Sequence, residues 1–192
     1  MGNFAILKIV CWQEESTLLM LRMRLMVGTL VVLLVVLLVR MATMPIPGAV
    51  KPFAAPDLDF RSQKVGSLTT LSALQGKVVI LDFWATWCGP CRQSIPELAR
   101  VYSQYKEKGL QVIGISLDEA ESRKDIPAAI KELGITYPIV FGTEISDLRE
   151  KYNFEAIPQF YLIDKRGQVR VHIPGYDPTF QLESEVVKLL GE

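Results

Sequence analysis

Residues 77–84, KVVILDFW, are apolar on both faces apart from Asp82, and they run almost directly into Trp87-Cys88-Gly89-Pro90-Cys91. A strand that is apolar on both faces needs cover on both sides, which places it in the middle of a sheet. Helical spacing begins straight after the cysteines. Ile95, Leu98, Val101, Tyr102 and Tyr105 form one stripe, closed by Gly109. The two cysteines therefore sit where a buried central strand gives way to an amphipathic helix. Few arrangements constrain a fold more.

The remaining elements follow by pattern. Residues 110–117 read as a second buried strand, and Ile126, Ala129, Ile130 and Leu133 mark a helix ending at Gly134. A short strand at 138–141 and a helix at 145–152 come next. Residues 159–164 and 168–173 flank Lys165-Arg166-Gly167 as a hairpin whose second arm alternates Val169, Val171 and Ile173. Residues 180–190 close the chain as a helix, and 58–74 reads as a short β-hairpin followed by a turn. This order predicts an α/β domain, a mixed central sheet with helices on both faces.

The chemistry centres on the dithiol. Cys88 falls at a helix N-terminus, where free N–H groups and the macrodipole favour a thiolate. Cys91 lies one helical turn on, close enough to form a disulfide with it. Pro90 suits an early helical position, where a missing N–H costs nothing. The expectation is an exposed, attacking Cys88 and a more buried, resolving Cys91. A lone Cys-x-x-Cys can also be half of a zinc site, but zinc needs four ligands. The one other cysteine is Cys11, ahead of the apolar run, and the one histidine is His172, expected to be exposed on the hairpin. No metal and no cofactor are expected.

Asp82 is the second informative residue. A carboxylate in a buried strand is costly and its pKa rises; nine residues before Cys91, it suits a proton acceptor for that thiol. The bland alternative is an Asp at a strand end with a water or backbone partner. Ile157-Pro158 precedes the strand at 159, and a cis bond there would set backbone groups beside the dithiol for an extended partner.

The chain also carries an appendage. From Leu25 to Val39 every residue is apolar except Gly28 and Thr29, bracketed by Arg22, Arg24 and Arg40. Fifteen residues cover roughly 22 Å of helix against about 30 Å of bilayer core; extension to 44 encloses only Arg40, which can snorkel. This predicts a cytoplasmic segment at 1–24, a transmembrane signal-anchor helix at 25–44, a proline-rich linker at 45–56, and a domain at 57–192. Lys8, Arg22 and Arg24 outweigh Glu14 and Glu15, so the N-terminus stays cytoplasmic and the domain lies outside. A start at Met20 or Met23 would instead suit a cleavable signal peptide. Of 21 Lys/Arg and 21 Asp/Glu, four and two precede Val50, leaving the rest slightly acidic. No nucleic-acid face is implied.

VVILDFWATWCGPC at 78–91 resembles the active-site strand and helix start of the thioredoxin superfamily. Pro96 matches the proline that kinks the active-site helix there, Asp82 the family's buried acid, and Ile157-Pro158 its cis-proline loop. The long stretch 110–154, the anchor and the leading AAPDLDF are similar to the TlpA/ResA branch, with its redoxin/AhpC-TSA-like domain. That resemblance covers about residues 56–192. It implies a thiol–disulfide oxidoreductase acting on disulfide-bearing proteins in the periplasm, with Trp87, Gly89, Pro90, Ile157 and Pro158 touching substrate. It also implies re-reduction by a transmembrane thiol donor of the DsbD/CcdA kind, and a setting in cytochrome c maturation or redox homeostasis. Two residues depart from the pattern: Ser94 stands where many relatives carry Glu, and Gln159 where Thr is usual. Two other readings are a peroxiredoxin-like peroxidase, which expects Thr where Ala85 stands, and a Sco-like copper-delivery module, which uses a wider cysteine spacing and a distant His.

Overall fold

The computed structural model describes residues 3–42, 48–63 and 65–192, and the chain divides into two units, Met1–Ile46 and Pro47–Glu192. In the first unit a single helix, α1, runs from Asn3 to Ala42. Its segment Arg22–Arg40 has a mean hydropathy of 2.3 and is long and apolar enough to cross a membrane. The side chains described within that segment are exposed on every side. A helix apolar all round suits lipid rather than water, because its backbone is satisfied internally. The helix begins at Asn3, well before the apolar run, so the residues that precede Leu25 continue in the same helix.

The second unit has a thioredoxin-like fold. Its strands are β1 (Ala49–Ala54), β2 (Val78–Trp84), β3 (Leu110–Ser116), β4 (Ile139–Phe141), β5 (Gln159–Ile163) and β6 (Gln168–Pro174). They form one sheet in the order β1-β6-β5-β2-β3-β4. β2, β3 and β4 run parallel, while β5, β6 and β1 pair antiparallel. Every residue of β2 is buried, as its two-sided apolar sequence demands. On one face lie α2 (Gly89–Tyr105), α3 (Ile126–Leu133) and α5 (Leu182–Gly191), whose apolar residues share a core with Ile80, Trp84 and both active-site cysteines. Ile95, Leu98 and Val101 of α2 are fully buried there; each such side chain stabilises the fold by roughly 1.5–3 kcal/mol. The other face carries the short α4 (Leu148–Tyr152) and the coil that leads into β2.

Three expectations need correction. The segment 45–56, expected as a proline-rich linker, is part of the folded sheet over much of its length: β1 lies within it and pairs with β6, and Gly48 accepts a hydrogen bond from His172 N–H at 2.8 Å. Pro52 is tolerated because β1 is an edge strand whose register shifts between Ala49 and Phe53. Pro45 and Pro47 lie outside the described residues. The hairpin expected at 58–74 is a coil with two short 3₁₀ turns and one bridge, Asp59 to Thr70. Leu58, Phe60 and Leu71 turn inward beneath the sheet, and the Asp57 carboxylate holds Ser72 through its N–H and Oγ, each at 2.8 Å. The helix expected at 145–152 starts only at Leu148, since Asp147 has φ of 57° and interrupts it.

Candidate active site

β2 ends at Trp84, and the chain turns at once: Cys88 N–H donates to Ala85 C=O at 3.1 Å. Cys88 is the N-cap of α2, with an extended backbone, and its Sγ accepts from Cys91 N–H at 3.2 Å. The sulfur thus occupies the position where an N-cap side chain meets the free N–H groups of the first turn, an anion-favouring place. Cys88 and Cys91 are joined in a disulfide, with Cα atoms 5.3 Å apart. Pro90 sits in the first helical turn.

The expected contrast in exposure is small in this oxidised pair. Cys91 is fully buried, and Cys88 is 4% exposed rather than open. The exposed neighbours are Trp87, at 66%, with Gly89 and Pro90. Arg92, the nearest cation in sequence after the pair, is paired with Glu132 of α3.

Asp82 lies inside β2, not at its end, and is fully buried. It alternates with Ile80 and Trp84, so it belongs to the sheet face that packs against the dithiol helix. Tyr137 donates a hydrogen bond to Asp82 Oδ2 at 3.0 Å, while Oδ1 has no partner among the described residues. Burial pushes the Asp82 carboxyl up to about 7, and the Tyr137 bond holds it partly down. The Tyr137 hydroxyl is itself raised well above its ordinary value, by burial and then by Asp82, so it remains a donor.

Tyr137 was not singled out in the sequence. Its access depends on Gly114, which pairs directly with Asp82 across β2 and β3. A Cβ at Gly114 would lie 2.4 Å from Ile139 Cδ1 and 3.0 Å from Tyr137 Cε2. A lone glycine within an otherwise branched strand is the signal that marks such a close approach.

Ile157-Pro158 is a cis peptide immediately before β5. Gln159 pairs with Phe83, so the cis bond lies at the end of the sheet where the dithiol turn leaves β2. Pro158 C=O accepts from Gly175 N–H at 2.8 Å, whereas neither backbone group of Ile157 is bonded among the described residues. Gln159 is buried; its Nε2 donates to Ala156 C=O at 2.8 Å, and its Oε1 lies 2.7 Å from His172 Nε2. His172 is half-buried rather than exposed, and stacks on Tyr161 at 4.3 Å. Tyr161 lies in the core on the far face from the cysteines. The departures Ser94 and Gln159 are thus both satisfied locally, Ser94 Oγ donating to Cys91 C=O at 3.0 Å.

A profile of the AhpC/TSA family matches residues 50–172, which is most of the folded unit and includes the whole redox pair. The chain belongs to the AhpC/TSA family. Among similar proteins, the thiol-disulfide oxidoreductase ResA of Oceanobacillus iheyensis is 35% identical over 125 residues, covering 64% of this chain and 64% of that protein. ResA of Bacillus cereus is 35% identical over 126 residues, 65% of this chain and 70% of its own length. Among solved structures, a putative thiol:disulfide interchange protein DsbE from Chlorobium tepidum superposes with a TM-score of 0.57 at 30% identity. That match covers 78% of this chain and all of the other. With the Cys88–Cys91 disulfide in place, the folded unit is of the thiol–disulfide oxidoreductase type.

Proposed function

We propose that this chain is a membrane-anchored, extracytoplasmic dithiol that reduces disulfides in other proteins. The observation that carries the reading is the Cys88–Cys91 pair closed at the N-cap of α2. In the reduced form, the Cys88 thiolate attacks a substrate disulfide, forming a mixed disulfide and releasing one substrate thiol. Cys91 then attacks Cys88 Sγ, releases the second substrate thiol and leaves the oxidised pair seen here. Asp82 takes the Cys91 proton as that thiol becomes the nucleophile. Trp87, Gly89, Pro90 and the free backbone groups of Ile157 supply a docking edge for an extended substrate chain. Each turnover consumes two electrons, so a dithiol donor is required; the resemblance points to a transmembrane carrier of the DsbD/CcdA kind. Cytochrome c maturation and general thiol homeostasis are the settings it implies.

The peroxidase and copper-delivery readings have less support. Ala85 is buried where the peroxidase reading expects a Thr hydroxyl. His172 stacks on Tyr161, in the core on the other side of the sheet from the dithiol, and does not join the cysteines.

The direction of transfer follows from charge. An oxidant needs extra compensation for its first thiolate, and here Gly89 has no side chain while Arg92 is engaged by Glu132. Cys88 is left with the helix terminus alone, which gives a moderately activated thiol and a reducing couple. Equilibration with glutathione buffers is expected to give a potential well below about −180 mV, the value of protein disulfide isomerase. A potential above that value would sink the reductant reading.

Anchoring gives a second expected result. The full chain should stay with membranes after carbonate washing, whereas the unit Pro47–Glu192 alone should be soluble and folded, because it holds β1 and the complete sheet. A full-length chain released by carbonate would rule out a spanning α1.

A further inference from the structure

We propose that Asp118 is a positioning residue for the attack of Cys88, acting through Thr86. Asp118 is fully buried just beyond β3, and every side-chain bond it makes runs to the active-site turn or to the end of that strand. Its Oδ2 accepts from Thr86 N–H at 3.0 Å and from Ser116 Oγ at 2.9 Å, and its Oδ1 accepts from Thr86 Oγ1 at 2.6 Å. Thr86 is the second residue of the Ala85–Cys88 turn, so both of its free donors are tied to one carboxylate. Around this turn, the backbone bonds among the described residues are Cys88 N–H to Ala85 C=O, Arg92 N–H to Cys88 C=O as the helix begins and, one step earlier, Leu117 N–H to Trp84 C=O.

A buried carboxylate carries a desolvation cost that its donors must offset. Here the donors belong to the segment that must present a sulfur to an incoming disulfide. Charge-assisted bonds are stronger and more directional than neutral ones, and a reacting atom displaced by about 1 Å can lose two orders of magnitude in rate. The clamp thus fixes where the turn delivers Trp87 and Cys88. Neither partner carries the chemistry. The proposal rests on the reading of Cys88 as the attacking thiol.

The test uses the full chain in a Cys91→Ser background, where a disulfide-bonded peptide probe stops at the mixed disulfide and the attack step is read alone. Mass mapping identifies the sulfur involved. Asp118→Ala is expected to slow the attack about tenfold, the equivalent of one lost charge-assisted bond. Thr86→Val, which keeps the N–H bond, should slow it about threefold, for loss of a single hydroxyl donor. The double variant should be no slower than Asp118→Ala, because both changes remove one shared interaction. Asp118→Asn should recover the rate to within about threefold, since one amide oxygen can still accept from Thr86. Circular dichroism checks folding, and if Asp118→Ala does not fold, Thr86→Val and Asp118→Asn carry the comparison. Wild-type rates in all variants would overturn the clamp while leaving Cys88 as the attacker, as would a double variant slowed by the product of the single effects. Absence of any mixed disulfide on Cys88 would overturn the Cys88 reading itself, and the clamp with it.

Discussion

Cys88→Ser is expected to abolish disulfide reduction outright, and Cys91→Ser to accumulate covalent complexes with substrates through Cys88. The asymmetry follows from position. Cys88 is the N-cap, its sulfur in contact with the first-turn N–H of Cys91, so its thiolate is the one favoured by the helix terminus. Cys91 is fully buried beneath it and meets no substrate directly. Its reach is limited to Cys88 Sγ, so losing it blocks resolution and not attack. Non-reducing electrophoresis of cells expressing each variant, followed by mass mapping, measures this. Stable mixed disulfides with Cys88→Ser, and none with Cys91→Ser, would reverse the assignment.

Trapped partners would also test the docking edge. Ile157 offers an N–H and C=O without a partner among the described residues, at the sheet end where the dithiol turn begins. An extended substrate strand paired there would lie across the turn, beside the exposed ring of Trp87.

What was legible in the sequence is what local pattern determines. A strand apolar on both faces can only be central, and β2 is, between β3 and β5. The stripe on α2 ends at Gly109 and that on α3 at Gly134, both in left-handed conformation, so the helix ends were marked by the residue type that tolerates them. The dithiol was placed because strand, turn and helix are contiguous. What escaped notice depends on contacts between distant parts of the chain. β1 carries Pro52 and alternates poorly, and only its pairing with β6, more than a hundred residues on, makes it a strand. Leu58, Phe60 and Leu71 looked like hairpin residues because the sheet they fill beneath is invisible locally. Tyr137 lies 55 residues from Asp82, and nothing near either residue announces the bond. The exposure of Cys88 was overstated for a similar reason, since helix-terminus logic gives reactivity but says nothing of what packs over the sulfur.

Asp82→Asn should make the protein more stable and less active at once. Burial raises the Asp82 carboxyl from 3.8 to about 7. Between those values the native state keeps a proton that the unfolded chain has released. Stability therefore falls as pH rises through this window and stays at its lower level above about 7; a rise of this size corresponds to roughly 4 kcal/mol. Asparagine does not titrate and can still accept from Tyr137 through its amide oxygen, though an unpartnered amide N–H gives back about 1–3 kcal/mol. The net expectation is a gain on the order of 2 kcal/mol at pH 8, shrinking to nothing or reversing near pH 4. Urea unfolding at the two pH values reads it. The amide cannot take a proton from Cys91, so resolution of the mixed disulfide should slow at least tenfold near neutrality. Tyr137→Phe supplies the opposing control, because the carboxylate stays but loses the bond that favours its charged form. Its pH–rate profile should move to higher pH without the stability gain of the amide. A variant at Asp82 that is less stable at pH 8, or one that turns over at the wild-type rate across pH 6–9, a range of roughly neutral proton transfer, would reduce the buried carboxyl to part of the core.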